Sequence, residues 1–436
     1  MRGSKRKRWV STGPGIGRAA RRAVLLAVVT CLGAALSFAV LPGADRPPAG
    51  QPGELLHTSR DPATVMPTPL DDRFYLPPPG YERTEPGTLL ASRVGGTGLT
   101  ATPVLSTEML IRSTDAKGRP VAVVATLLVP YSTWTGPGPR PLISSNVAID
   151  SLGHTCAPSQ QLKNSRSTDL AAQIPLSKNY AVLVPDHQGP RQAYAAGVMA
   201  GHAVLDSVRA AVGTPHLGLD PAAPTIVTGY SGGAIASGWA AQLAPKYAPE
   251  LNLVGAVFGG VPADFEMLLE TMNGRNAASG VFLAATLGVA REYPEMMWLF
   301  NDHGWRLAQF AKDLCFAGLA VLGAIVPVPV EMLANVPDPT ATPMIQRILA
   351  ENRLGAAAPR VPVFMYHGAN EVWIPLKGAE NLYDDWCAQG VSVRLEVYLG
   401  EHVIVGATGI PGANAWIDER LAGKPAPSGC SSFGLR

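Results

Sequence analysis

The sequence predicts an α/β fold: a mostly parallel central sheet with a helical cap inserted between its later strands. Two observations predict it. The apolar segments "RPLISSNVAID" and "YAVLVPDHQG" are rich in Val, Leu and Ile and close on Asp, Pro or Gly; such unbroken apolar runs are strands buried on both faces of a parallel sheet. Further strands follow at "APTIVTGY" and "LNLVGAVFGGVPAD", after which strand signals stop. From about Phe265 to Pro359 the pattern is helical, and strands resume only at "RVPVFMYHG" and "VSVRLEVYLG". Helices between two groups of strands are what a cap over a sheet looks like.

The chain has 436 residues, 47% apolar and 16% charged, with a formal net charge of +2. This is a globular composition with enough length for well-buried cores. Lys5, Arg6, Lys7, Arg8, Arg18, Arg21 and Arg22 lie in the first two dozen residues. Setting them aside leaves no basic face, which excludes nucleic acid as a partner. Those charges precede an uncharged apolar run, Ala23 to Ala44, with small residues near Ser37-Phe38-Ala39 and Pro42-Gly43-Ala44. Residues 1–44 therefore read as a secretory signal peptide, with an uncleaved anchor as the alternative because the run approaches spanning length. Arg21-Arg22 permits a twin-arginine route. Cys31 follows Thr30, a poor match for a lipidation box. Beyond Cys31 there are Cys156, Cys315, Cys387 and Cys430 and no C-x-x-C. In an oxidising compartment they are expected to form two disulfides, with three pairings open.

Residues 45–87 are rich in Pro and Gly and read as a linker and wrapping arm. Residues 88–263 form the first part of the core, 264–359 the cap, and 360–436 the second part of the core with a C-terminal tail. Within the first part, "VLSTEMLIRST" and "PVAVVATLLVP" are strands. "QAYAAGVMAGHAVLDSVRAAVG" reads as a helix, with Val198, Val204, Leu205 and Val208 near helical spacing. In the cap, "LCFAGLAVLGAIVPVPV" is apolar, but Pro327 and Pro329 interrupt it and it is short for a membrane span. It is expected to be a buried or substrate-facing helix.

"APTIVTGY" runs directly into Ser231, and "GGAIASGWAAQLAPKY" behind it is helical and starts with small residues. Gly229-Tyr230-Ser231-Gly232-Gly233 fits the G-x-S-x-G nucleophile elbow, which requires this strand–turn–helix context. An ordinary turn with a serine N-cap has the same local pattern, so downstream partners must decide. A serine hydroxyl needs an imidazole to take its proton and an acid to orient that imidazole. In α/β-hydrolases the order is Ser, acid, His, with both partners on loops after late strands. Of the histidines after Ser231, His303 sits in the helical insertion and His367 at the end of a strand; His402, directly after "VYLGE", is on the loop after the last strong strand. The loop after "VPVFMYHG" offers Asn370 and Glu371, of which only Glu371 ionises. Asp384 and Asp385 fall in the following helix and are the alternatives. Two backbone N–H groups should stabilise the oxyanion: one from Gly232, the other from "SSNVAIDSLGHTCAPS".

The segments "DSLGHTCAPS", "VLVPDHQGPRQAYAAG", "GYSGGA", "YAPELNLVGAVFGGVP", "EVWIP" and "GEHV" together resemble the secretory lipase family, α/β-hydrolases of the fungal lipase A type, in order from about Asp72 to Cys430. The resemblance implies Ser231 as nucleophile, His402 as base, and Asp150 with Gly232 as oxyanion donors. Family members usually carry Asp where this chain has Glu371. It further implies Cys156–Cys315 and Cys387–Cys430 bridges, and a lid after Pro262 that forms an acyl-binding tunnel. The expectation is an exported serine hydrolase that cleaves carboxylic esters, of lipid type, with no cofactor or metal, no obligate protein partner, and contact with a lipid interface through the cap. The alternatives are an acyltransferase using the same three residues and a catalytically weakened scaffold.

Overall fold

A computed structural model describes residues 59–165 and 170–434. The N-terminal signal or anchor, and the part of the arm before residue 59, lie outside the described residues. The strands are β1 (Leu89–Val94), β2 (Val104–Thr114), β3 (Pro120–Pro130), β4 (Leu142–Asn146) and β5 (Ala181–Pro185), followed by β6 (Thr225–Tyr230), β7 (Leu253–Gly259), β8 (Val363–Gly368), β9 (Val393–Tyr398) and β10 (Ser431–Gly434). They form one sheet in the order β1-β2-β3-β5-β4-β6-β7-β8-β9-β10. The first three neighbouring pairs are antiparallel and every later pair is parallel.

The β2–β3 hairpin turns on Asp115, whose carboxylate accepts from the N–H groups of Lys117 and Arg119. Gly118 supplies the left-handed residue the turn requires, at φ 77°. In the central strands successive side chains go to opposite faces. Ala256, Phe258, Val363 and Met365 join a cluster with Trp239, Ala240, Leu382 and Trp386 on one side. Val257, Phe364 and Tyr366 join Trp416, Ile417 and Val405 on the other. β4, β5 and β8 are buried along their whole length, as the sequence predicts for the first two. Each large apolar side chain so buried contributes about 1.5–3 kcal/mol.

Two elements differ from their sequence reading. The helix expected from Gln192 starts only at Gly197; Gln192 and Ala195 have φ of 46° and 69°, which a helix cannot contain. The apolar cap segment forms a helix over Phe316–Ile325, but only Leu319 and Gly323 in it are buried. Gly323 packs against the backbone of Gly280, close enough that a Cβ would meet Gly280 N at 2.2 Å, while Phe316, Val321 and Ile325 are exposed. Among the described residues no helix is long and apolar enough to cross a membrane.

Between β7 and β8 the cap comprises helices Phe265–Thr271, Ser279–Glu292, Asp302–Ala311, Phe316–Ile325 and Pro343–Glu351. Arg291 fastens it to the core. Its buried guanidinium donates to the carbonyls of Val65, Leu152, Arg191, Gln192 and Lys312, so arm, core loops and cap meet on one side chain. Burial pushes its pKa down to about 9, against a partial pull upward from Asp313. Beside it Arg191 pairs with Glu292 at 2.6 Å and Asp115 at 2.9 Å.

Cys156 is bonded to Cys315 and Cys387 to Cys430. The first joins the loop after β4 to the cap across 159 residues. A loop that long gives a large chain-entropy effect, so the Cys156→Ser/Cys315→Ser double variant is expected to lose about 3–5 kcal/mol. For a chain of this size that lowers the midpoint by roughly 4–6 °C, measurable by calorimetry under oxidising conditions.

Candidate active site

β6 ends at Tyr230 and the next helix starts at Gly232, leaving Ser231 as the single residue of the turn. It has φ 55° and ψ −122°, a strained conformation for a non-glycine residue. Its N–H bonds to Gly259 O at 3.0 Å, which fixes the turn to β7. The flanking glycines are required by close approach rather than by local flexibility. A Cβ on Gly229 would stand 2.3 Å from Gly233 O, and one on Gly233 1.9 Å from Asn146 O. The G-x-S-G-G pattern is thus what lets the helix press against β6 and β4 while the serine side chain is raised above the sheet.

Ser231 Oγ lies 2.9 Å from His402 Nε2, and His402 Nδ1 lies 2.7 Å from Glu371 Oε2. Glu371 comes from the loop after β8 and His402 from the turn after β9, which opens the helix His402–Thr408. Glu401 caps that helix, its carboxylate accepting from the N–H groups of Val403 and Ile404. Tyr230 donates its hydroxyl to His402 O at 2.6 Å, and the Trp373 ring flanks the imidazole at 5.5 Å. The second oxygen of Glu371 accepts from Trp373 N at 2.9 Å. Both ring and carboxyl are almost fully buried, at 6% and 1% side-chain exposure. Burial pushes the Glu371 carboxyl up, but the hydrogen bond and charge of His402, with the Trp373 N–H, outweigh it; its pKa ends below the ordinary glutamate value.

Asp150, on the loop after β4, has φ 45° and is buried. Its carboxyl presses on Gly232: a Cβ there would come within 1.7 Å of Asp150 Oδ1. Only glycine fits at this close approach, beside a small pocket of about 40 Å³ that Ser231 and Asp150 line. That pocket is lined by Asp150, Tyr194, Ser231, His402 and Trp373 with Phe265 and Phe282 of the cap. A second cavity of about 150 Å³ lies inside the cap and is almost wholly apolar; Phe265, Phe282 and Ala285 line both.

The five residues expected at the site from sequence are therefore brought together: Ser231, Glu371 and His402 in one hydrogen-bonded chain, Asp150 and Gly232 beside it. The alternatives are elsewhere. His303 is exposed on a cap helix. His367 is buried, its Nε2 2.8 Å from Ile374 O, and so braces the loop that carries Glu371. Asp385 lies on the helix Leu376–Ala388 and pairs with Arg353; Asp384 beside it is exposed. Sequence reasoning missed Tyr194, whose phenol is hydrogen-bonded to the Asp150 carboxyl, because it was read into a regular helix. It also missed the Trp373 N–H, a backbone donor that no side-chain pattern reveals.

The secretory lipase family profile matches residues 165–429. The chain is 32% identical over 380 residues to a Mycobacterium tuberculosis protein named as a probable inactive lipase, MT1628, covering 82% of this chain and 83% of the relative. It is 31% identical over 397 residues to the secreted triacylglycerol lipase LIP3 of Malassezia restricta, covering 85% and 83%. Among solved structures, Candida antarctica lipase A in its closed state superposes with a TM-score of 0.77 at 26% identity, over 84% of this chain and 89% of that one. A mostly parallel sheet, a serine raised on its strand-to-helix turn and these likenesses agree: the chain is a carboxylic ester hydrolase with the α/β-hydrolase fold, and it belongs to the secretory lipase family.

Proposed function

We propose that this hydrolase acts on lipid esters such as acylglycerols, with Ser231 as nucleophile, His402 as general base and acid, and Glu371 as the orienting acid. His402 Nε2 takes the hydroxyl proton as Ser231 Oγ attacks the ester carbonyl. The Glu371 carboxylate holds Nδ1–H and stabilises the imidazolium that forms. The N–H groups of Asp150 and Gly232 receive the oxyanion. His402 returns the proton to the leaving alcohol, and water then attacks the acyl-enzyme with His402 again as base, which releases the fatty acid and frees Ser231. Export to an oxidising compartment is part of the same reading, supported by the two disulfides and by the name of the Malassezia relative.

One observation carries the lipid assignment: the pocket on Ser231 and the apolar cap cavity share the walls Phe265, Phe282 and Ala285. An acyl group bonded to Ser231 has an apolar continuation into the cap and almost no polar group to desolvate there. The test is hydrolysis of p-nitrophenyl esters from acetate to palmitate. Longer esters are expected to show higher kcat/KM than acetate, and no rise with chain length would sink the lipid assignment. Ala285→Phe, which fills the shared wall, should reverse the preference. Excluding about four methylenes from apolar contact at about 0.8 kcal/mol each lowers kcat/KM for long esters on the order of a hundredfold, with acetate little changed.

A further inference from the structure

Asp150 does more in this site than present an N–H group. Its carboxyl is buried in the wall of the serine pocket, and Oδ1 has no hydrogen-bond partner. Among the described residues no lysine or arginine lines its pocket. Tyr194 faces it from the segment before the helix Gly197–Gly213, with its hydroxyl bonded to the carboxyl, and His402 faces it from the turn after β9. Glu371, behind His402, is the other carboxyl of the site. The Ser231 hydroxyl and the apolar side chains of Phe265, Phe282 and Phe316 complete the surroundings.

We propose that Asp150 enters the reaction through its side chain as well as its N–H, and that it does so as a neutral carboxylic acid. The inference rests on the Ser231–His402–Glu371 reading. The oxyanion is to form between the N–H groups of residues 150 and 232, and Asp150 Oδ1 lies against Gly232. A carboxylate there would set a second negative charge within a few ångströms of the developing one, in a largely apolar pocket. Like charges at that range oppose the transition state by a factor on the order of a hundred. The neutral acid removes that opposition and offers an O–H in its place. Burial raises the carboxyl's pKa to about 6, against the lowering influence of His402, Tyr194 and its own backbone N–H, so the neutral acid is the form that prevails on the acid side of that value.

The consequence is a limb of the pH profile that belongs to Asp150: as pH rises Asp150 loses the proton that keeps the oxyanion hole free of negative charge, and kcat/KM falls. The experiment is the pH dependence of kcat/KM for p-nitrophenyl butyrate, in wild type, Asp150→Asn and Tyr194→Phe, with fluorophosphonate labelling of Ser231 across the same range. Asn tolerates the left-handed backbone at this position and cannot ionise. The Asn variant is expected to lack the alkaline limb, so that its kcat/KM relative to wild type rises by about tenfold or more from the acid to the alkaline side of the optimum. Tyr194→Phe removes a hydrogen bond that favours the ionised carboxyl, and should move the limb to higher pH. An Asn variant that keeps the wild-type limb, or loses the same factor at every pH, would overturn the proposal; should that variant not fold, an unmoved limb in Tyr194→Phe does so. Absence of Ser231 labelling at every pH would instead bring down the triad reading, and this proposal with it.

Discussion

Ser231→Ala is expected to lower kcat for ester hydrolysis by about 10⁴- to 10⁶-fold, leaving a small residue above the uncatalysed rate from the oxyanion donors and substrate binding. The substitution removes one oxygen whose hydrogen bond is to His402 Nε2, and leaves the strained turn as it was. The fold should therefore persist, with an unchanged or slightly raised midpoint, since active-site residues are commonly kept at some cost to stability. Labelling of wild type by a fluorophosphonate, absent in the variant, would establish that the hydroxyl is nucleophilic. This matters because one relative is named as an inactive lipase, so family membership leaves open whether this serine is reactive. Wild type that neither labels nor cleaves any ester would move the protein to the weakened-scaffold reading.

The site was legible in the sequence where the chemistry demands particular residue types at particular places along a strand. Ser231 needs a strand before it, a helix after it and glycines on both sides, and each demand leaves a mark in "VTGYSGGA". His402 and Glu371 were found by elimination, because the loops after the last strands offered few ionisable groups. Asp150 was different. Nothing in "SSNVAID" marks one residue as donor, and only the family resemblance pointed to it, because a backbone N–H carries no side-chain signature.

What the sequence concealed was set by long-range packing. Gln192 to Ala196 carry good helix formers, yet the chain there is irregular because Tyr194 is drawn under Asp150 and Arg191 toward Glu292. Tertiary contacts override a local preference worth only tenths of a kcal/mol per residue. The cap helix Phe316–Ile325 shows the converse. Its composition is that of a core helix, but packing against Gly280 uses only one narrow side. Composition reports how apolar a helix is, and not which of its sides finds a partner. The remaining apolar surface leaves Phe316, Val321 and Ile325 exposed.

Glu371→Gln is expected to cost about 10⁴-fold in kcat with the geometry of the site nearly intact, because the amide removes the negative charge that holds Nδ1–H and stabilises the imidazolium. Glu371→Asp puts a sharper question, since the family resemblance led one to expect an aspartate at this position. In this chain the glutamate spans the loop: Oε2 reaches His402 Nδ1 at 2.7 Å while Oε1 is held by Trp373 N at 2.9 Å. Withdrawing the carboxylate by one methylene moves it more than an ångström from one partner or both. Misplacement on that scale costs about 10–100-fold, so aspartate should reduce activity here rather than restore it. The two variants also separate charge from reach in their pH behaviour. Because the folded-state pKa of Glu371 lies below its ordinary value, the ionised carboxylate stabilises the protein at pH above the ordinary glutamate pKa, and this contribution is lost as pH falls through the lowered one. The stability gap between wild type and Glu371→Gln should accordingly close in acid. For Glu371→Asp, wild-type kcat/KM or better would show that the loop after β8 adapts to the shorter acid and that the glutamate's reach is incidental. A loss confined to kcat would show that the longer side chain is built into the geometry of catalysis.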